Sequence, residues 1–328
     1  MTGRLQNKVI VITGASSGIG EQVAMQVAAQ GATPVLMART EEKLQVLVDK
    51  IKETYNTPCY YYVLDVSEEM EVQSVFSKVL QEVGRIDILV NNAGFGIFKT
   101  FEDASMGEVK DMFQVNVFGL VACTKAVLPY MVNKNEGHII NIASLAGKIA
   151  TPKSSAYAAT KHAVLGFTNS LRMELANTDI YVTAINPGPI DTNFFEIADQ
   201  SGTYVKNMGR YMLKPTYVAE QIVKSMHTKK REVNLPKWMG IGPKLYALFP
   251  GLFERVAGKS LSKKIGDFHM EISYFFIVFQ SHNHKQYPQS PRINQFQYLN
   301  ESPFEYVSLA FPDLLLILDC IDIAENFL

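Results

Sequence analysis

Val9-Ile10-Val11-Ile12-Thr13-Gly14-Ala15-Ser16-Ser17-Gly18-Ile19-Gly20 is the stretch whose reading decides the fold. Four β-branched apolar residues in a row read as a buried strand, and the apolar period that resumes after Gly20 reads as a helix. A strand that runs through spaced glycines into a helix points backbone N–H groups and the positive helix end at a phosphate. Gly14, Gly18 and Gly20 permit the tight turn, the approach of a pyrophosphate and close packing of helix on strand, with Ser16, Ser17 and Ile19 lining the same turn. Three residues separate the first two glycines, so the pattern differs from G-x-G-x-x-G. By itself a glycine triplet also suits an ordinary turn; its position directly after the first strand favours a dinucleotide.

Outward from that junction, short apolar runs alternate with longer helix-period stretches over two-thirds of the chain. Strands are predicted at Val9 to Thr13, Thr33 to Ala38, Tyr60 to Leu64, Ile86 to Asn91, His138 to Ile142 and Tyr181 to Asn186. The clearest helices run from about Ala156 to Ala176 and from about Met106 to Val132, the latter ending near Pro129. This βαβ alternation predicts an α/β fold: a single Rossmann-type, doubly wound parallel sheet of about seven strands, helices on both faces, and a C-terminal extension. The expected organisation is a catalytic and nucleotide-binding domain over 1–235, an apolar helical segment over 236–264 and an atypical acidic tail over 265–328.

With 328 residues, 47% of them hydrophobic, the chain has ample material for a core, and a net charge of -1 gives little support to a nucleic-acid partner. Three scattered cysteines, Cys59, Cys123 and Cys320, fit a reducing compartment, and no CxxC pair exists to hold zinc. The absence of a secretory pattern makes a cytoplasmic address the default expectation. No apolar run is expected to reach the roughly 18 residues needed to span a bilayer, Leu309 to Ile321 coming nearest.

The chemistry is carried by Tyr157-Ala-Ala-Thr-Lys161, thirteen residues after Ser144. A tyrosine and a lysine four apart share one helix face, so the ammonium favours ionisation of a phenol whose free pKa is about 10. Tyr157 is then a general acid/base, protonating a developing alkoxide in the reductive direction. Ser144 follows the fifth strand at the carboxyl edge, where its hydroxyl can polarise a substrate carbonyl. Asn116 is placed to hold a water that relays protons from Lys161. At Ala38-Arg39-Thr40 no carboxylate awaits a ribose 2′-OH, and the Arg39 guanidinium suits a 2′-phosphate, so NADP(H) is expected over NAD(H); the plainer reading of Arg39 is a solvated loop residue. Asp65 sits where a carboxylate can accept from an adenine amino group, and Asn92-Ala93-Gly94 offers small residues beside a ribose and ring.

These motifs together resemble the short-chain dehydrogenase/reductase superfamily, in its branch of roughly 250-residue enzymes. The matching residues are Thr13 to Gly20, Asn91-Asn92-Ala93-Gly94, Asn116, Ser144, Tyr157 with Lys161, and Pro187-Gly188 followed by Thr192; they span about residues 5–235. The resemblance implies a tetrad of Asn116, Ser144, Tyr157 and Lys161, the last two also touching the cofactor. It further implies an adenine contact at Asp65-Val66 and a nicotinamide contact at Thr192, beside Pro187 and Gly188. It implies a homodimer or homotetramer paired through the helices after Gly107 and Ala156. The implied reaction interconverts a ketone or aldehyde and an alcohol.

Phe95, Ile97, Phe98, Leu145, Ile149, Ile190, Phe194 and Phe195 lie beside the motif residues, which suits an apolar small-molecule substrate, although several fit a core equally well. The Pro189 to Lys214 loop is expected to close over the cofactor. Trp238 to Ala257 repeats apolar residues at helical spacing and reads either as a helix packed on the core or a partner, or as a patch making peripheral membrane contact. A lipid-surface reductase and a dinucleotide-sensing regulator without turnover are alternatives, the second disfavoured by the presence of both Tyr157 and Lys161. An epimerase with a TGxxGxxG turn is disfavoured by the extra residue between Gly14 and Gly18. Beyond about Ile265 the chain carries two basic against eight acidic residues, while residues 1–264 carry 29 against 24. This tail reads as an appended segment without a catalytic role.

Overall fold

Seven strands form one parallel sheet: β1 Val9–Thr13, β2 Thr33–Ala38, β3 Tyr60–Val63, β4 Ile88–Asn91, β5 Gly137–Ile142, β6 Ile180–Pro187 and β7 Glu232–Leu235. The order across the sheet is β3-β2-β1-β4-β5-β6-β7. In this computed structural model the described residues are 3–199, 209 and 212–251. The acidic tail over 265–328, most of the 200–211 stretch and the last part of the Trp238 to Ala257 segment lie outside them.

The doubly wound architecture follows from the burial of each strand on both faces. Ile10 and Ile12 enter one apolar cluster with Val23, Ala24 and Val27 of α1 (Gly18–Ala28) and Leu44 and Leu47 of α2 (Glu41–Tyr55). Val9 and Val11 point the other way, to Val72 and Phe76 of α3 (Glu69–Val83) and to the helices that precede and follow β5. A continuous apolar run, rather than alternation, is what two covered faces require. β1 pairs with β2 on one side and β4 on the other, so the strand order reverses there. The crevice outside the carboxyl ends of β1 and β4 is the place where such sheets bind ligands.

Two helices depart from their predicted bounds. α4 (Met106–Phe113) continues through a π turn, Gln114–Gly119, into α5 (Leu120–Lys134), running past Pro129. Proline removes a bond to the carbonyl four residues earlier, that of Lys125; both residues are exposed, so water can satisfy that carbonyl without ending the helix. The resulting stretch Met106–Lys134 is long and apolar enough to cross a membrane by length and composition. Counting uninterrupted apolar runs missed it because polar residues such as Asn116 and Thr124 break the run without stopping the helix. Its inner face buries Cys123, Val127 and Met131 in the core. Ser105 starts α4 with a capping box, exchanging bonds with Glu108.

α6 (Ser155–Glu174) carries the Tyr-Lys pair, and the short α7 (Phe194–Ala198) follows β6. α8 (Pro215–Ser225) packs Val218, Ala219 and Ile222 into the cluster that holds α1. After β7 come a 3₁₀ turn, Lys237–Gly240, and α9 (Ile241–Leu248). Met239 lies against Gly188, whereas Leu248 and Phe249 are exposed, so this segment both touches the core and shows apolar surface. At the opposite, amino edge of the sheet, buried His138 accepts from the His227 N–H through Nδ1 at 2.9 Å and reaches Thr183 Oγ1 through Nε2 at 2.9 Å. Burial pushes its pKa down to about 3, so it is a neutral structural histidine.

Candidate active site

The glycine turn is built as the sequence predicted, with left-handed φ at Gly14 (63°) and Gly18 (57°). A Cβ at Gly14 would come within 2.8 Å of Ala93 Cα, so the turn and the end of β4 touch backbone to backbone. Ser17, at the N-cap of α1, makes no side-chain capping bond, which leaves the first N–H groups of the helix to another acceptor. A pyrophosphate fits that donor set, and the close approach at Gly14 and Gly18 is what a dinucleotide needs.

Asn92 has a role that sequence reasoning did not assign. Its Nδ2 donates to the carbonyls of Thr13 and Gly14, both at 3.0 Å, while Thr13 Oγ1 accepts the N–H groups of Asn92 and Ala93, both at 3.0 Å. Asn92 and Thr13 thus clamp the glycine turn to β4, instead of merely leaving room beside a ribose. A threonine ending a strand has no spacing signal that would have revealed this. Asp65 accepts from Ser67 N and Oγ, at 3.0 and 2.7 Å, and lies 3.9 Å from Arg39 Nη1. Arg39 is 76% exposed at its side chain, reaching into solvent beyond β2. Val66 is buried against Gly119 of the π turn. Between the glycine turn and α2 lies a cleft of about 300 Å³ lined by Ser16, Glu21, Glu42, Lys43 and Lys50.

The four tetrad candidates gather at the carboxyl ends of β4 to β6. Lys161 is 6% exposed; its Nζ donates to the Ile142 carbonyl at 2.9 Å and stands 5.8 Å from the centre of the Tyr157 ring. Desolvation pushes the amine down to about 8, which still leaves it mostly protonated at neutral pH. Ser144 Oγ accepts from Ala146 N at 3.1 Å and donates to the Pro187 carbonyl at a long 3.4 Å, a bond easily exchanged for a ligand. Asn116 lies in the π turn with both ends of its carboxamide engaged. Oδ1 accepts from Phe95 N at 2.9 Å, and Nδ2 donates to Phe95 O at 2.8 Å and to Thr160 Oγ1 at 3.1 Å. Thr160 in turn donates to the Tyr157 carbonyl at 2.7 Å. Thr160, one turn from Tyr157 inside the Tyr-x-x-x-Lys gap, was missed, although its spacing from Tyr157 puts it on the same helix face.

Gly94 presses on this arrangement, since a Cβ there would meet Asn116 Oδ1 at 2.9 Å. Gly188 N donates to Leu235 O at 2.7 Å, tying the loop after β6 to β7. Thr192 turns back over the glycine turn, its Cγ2 3.3 Å from where a Gly18 Cβ would stand. Of the apolar residues flanking the motifs, Phe98 and Phe194 pack on Tyr157 and Phe195 packs on both of them, while Ile190 belongs to the core.

The family profile described as short chain dehydrogenase matches residues 8–201. The dehydrogenase/reductase SDR family member 7B of Danio rerio is 35% identical over 276 residues, covering 80% of this chain and 88% of that protein. The alcohol dehydrogenase of Thermococcus sibiricus, solved with 5-hydroxy-NADP, is 29% identical with a TM-score of 0.63 over 70% of this chain and 96% of that one. A short-chain dehydrogenase/reductase of Burkholderia phymatum, solved with NAD, is 26% identical with a TM-score of 0.70 over 76% and 95%.

Proposed function

The chain belongs to the short-chain dehydrogenase family, and from that premise we propose that it interconverts a ketone or aldehyde and an alcohol with NADP(H), using Tyr157 as the proton donor and acceptor. The observation that carries this reading is the burial of the Lys161 amine beside the Tyr157 ring at the carboxyl edge of the sheet. A desolvated cation next to a phenol favours the phenolate far more than the same pair in water.

Bound reduced nicotinamide supplies the hydride. The chain's own part in reduction is to donate a hydrogen bond from Ser144 to the substrate oxygen and to pass the Tyr157 proton to that oxygen as it gains charge. Ser144 gives up only its long bond to the Pro187 carbonyl to do so. Because Phe95 and Thr160 occupy the Asn116 carboxamide, its side chain ties the π turn to the helix of Tyr157 and to the connection after β4.

NADP(H) over NAD(H) rests on Arg39. Its guanidinium extends beyond β2 with 76% of the side chain exposed, and it holds Asp65 Oδ2 only loosely, at 3.9 Å, while Ser67 takes Oδ1, so a phosphate can displace that contact. Reported neighbours carry either NADP-type or NAD ligands, so the side chain at 39 is the discriminating test. Kinetics with NADPH and a panel of carbonyl compounds check the whole reading. Tyr157→Phe is expected to leave NADPH affinity within about twofold while turnover falls at least about 10²-fold; unaltered turnover refutes Tyr157 as the acid. Arg39→Ala is expected to weaken NADPH about tenfold and NADH little; equal losses refute the phosphate assignment.

A further inference from the structure

Two phenyl rings, backed by a third, close over Tyr157, which is itself only 8% exposed. Phe98, in the connection between β4 and α4, meets the tyrosine ring edge-on at 5.6 Å and 70°, and Phe194, at the start of α7, meets it at 5.8 Å and 60°. Phe98 and Phe194 are 6.2 Å apart, and Phe195 backs both at 6.1 and 5.4 Å. The two segments are joined by a bond from Phe98 N to Ala198 O of 2.8 Å.

Gly96 forms the floor beneath these rings. A Cβ there would lie 2.9 Å from Phe194 Cζ and 2.9 Å from Tyr157 Cδ2, so Phe194 occupies a space that exists only because residue 96 has no side chain. A carbonyl compound that comes against the Tyr157 ring meets this wall. Of the two α7 rings, Phe195 is buried and Phe194 retains solvent exposure, which makes Phe194 the ring able to swing aside. Edge-to-face contacts are set by the quadrupole of each ring, so an incoming aromatic ring can repeat the contacts that Phe194 gives up, whereas a puckered saturated ring cannot.

We infer that the substrate is a carbonyl compound carrying a flat aromatic or fused-ring group beside its carbonyl, which takes the place of the Phe194 ring against the edges of Tyr157 and Phe98, with Gly96 setting the width of that slot. The inference rests on the carbonyl-reductase reading of the same site and adds the shape of what it reduces. Phe98 and Gly96 are specificity-determining residues in this scheme, Phe194 is the ring that yields its place, and Tyr157 remains the reacting group.

The test compares acetophenone with cyclohexyl methyl ketone, equal in carbon count and different in flatness, using the full chain and NADPH. In Phe98→Leu, which keeps an apolar side chain and removes a ring the substrate would contact edge-on, the acetophenone-to-cyclohexyl ratio of kcat/KM is expected to fall about tenfold. In Gly96→Ala, 2-acetonaphthone is expected to lose about tenfold more kcat/KM than hexanal. NADPH binding followed by fluorescence reports whether each variant folds. A parent enzyme that reduces these ketones while both variants keep its ratios within twofold overturns the slot and leaves the reductase reading standing. Reduction of hexanal but of none of the ring ketones also overturns the slot alone. A parent that binds NADPH and reduces no carbonyl compound overturns both.

Discussion

Lys161→Met should make the cofactor-free protein more stable at neutral pH while removing its activity. The native amine is fully desolvated, and its pKa falls from 10.5 to about 8. Holding that charge at pH 7 therefore costs about 3 kcal/mol relative to the unfolded chain. Methionine fills a similar volume without charge, but it forfeits the hydrogen bond to Ile142 O, a loss of about 1 kcal/mol. The net gain is about 2 kcal/mol at pH 7, which for a domain of this size raises Tm by about 4 to 8 °C. The sign reverses with pH. Between about pH 8 and 10.5 the unfolded chain binds the lysine proton and the folded one does not, so the parent's stability rises with pH and the variant's advantage disappears near pH 9 to 10. Urea denaturation of both proteins without cofactor, at pH 7 and pH 9.5, measures the effect. A variant no more stable than the parent at pH 7, or a difference unchanged between the two pH values, would falsify the claim that burial of this cation is a functional cost.

His138 gives the opposite window. Its folded pKa is depressed to about 3, so stability present above pH 6.5 should drain away as pH falls toward 3, and His138→Gln should flatten that slope in a urea titration. Asn92→Ala releases both carbonyls of the glycine turn; destabilisation of about 1 to 3 kcal/mol and weaker NADPH binding are expected, and unaltered binding by fluorescence titration would show that the clamp is dispensable. Burial raises the thiols of Cys59 and Cys123 to about 12, so a disulfide reagent such as DTNB should leave both unmodified in the native protein and label them in denaturant; rapid native labelling of either, read by mass spectrometry, contradicts their burial.

Local pattern was enough for the sheet and for the placing of the Tyr157 and Lys161 pair. A continuous β-branched run such as Val9 to Ile12 must be covered on both sides, which compels helices on both faces, and the four-residue spacing of Tyr157 and Lys161 places them together on any helix. Strand starts were less legible: β4 begins at Ile88, two residues later than expected, because the Val9 N–H goes to the Asp87 side chain at 2.7 Å instead of to a main-chain carbonyl of an earlier residue, although Asp87 N still donates to Val9 O at 2.9 Å. Helix ends were equally hidden where the carbonyl that loses its donor to a proline is on an exposed residue, as Lys125 is before Pro129.

What the linear order of residues determined on its own was the fold class and which side chains are candidates for the chemistry, since period, glycine spacing and residue chemistry are local properties. Only the tertiary structure decided what those side chains touch. Asn92 spends its amide on the glycine turn, Thr160 joins Asn116 to the helix of Tyr157, and Gly96 admits the ring of Phe194. Each of these joins elements dozens of residues apart or depends on a contact across them, and their meeting is set by how the strands and helices pack, a non-local outcome that no spacing along the chain encodes.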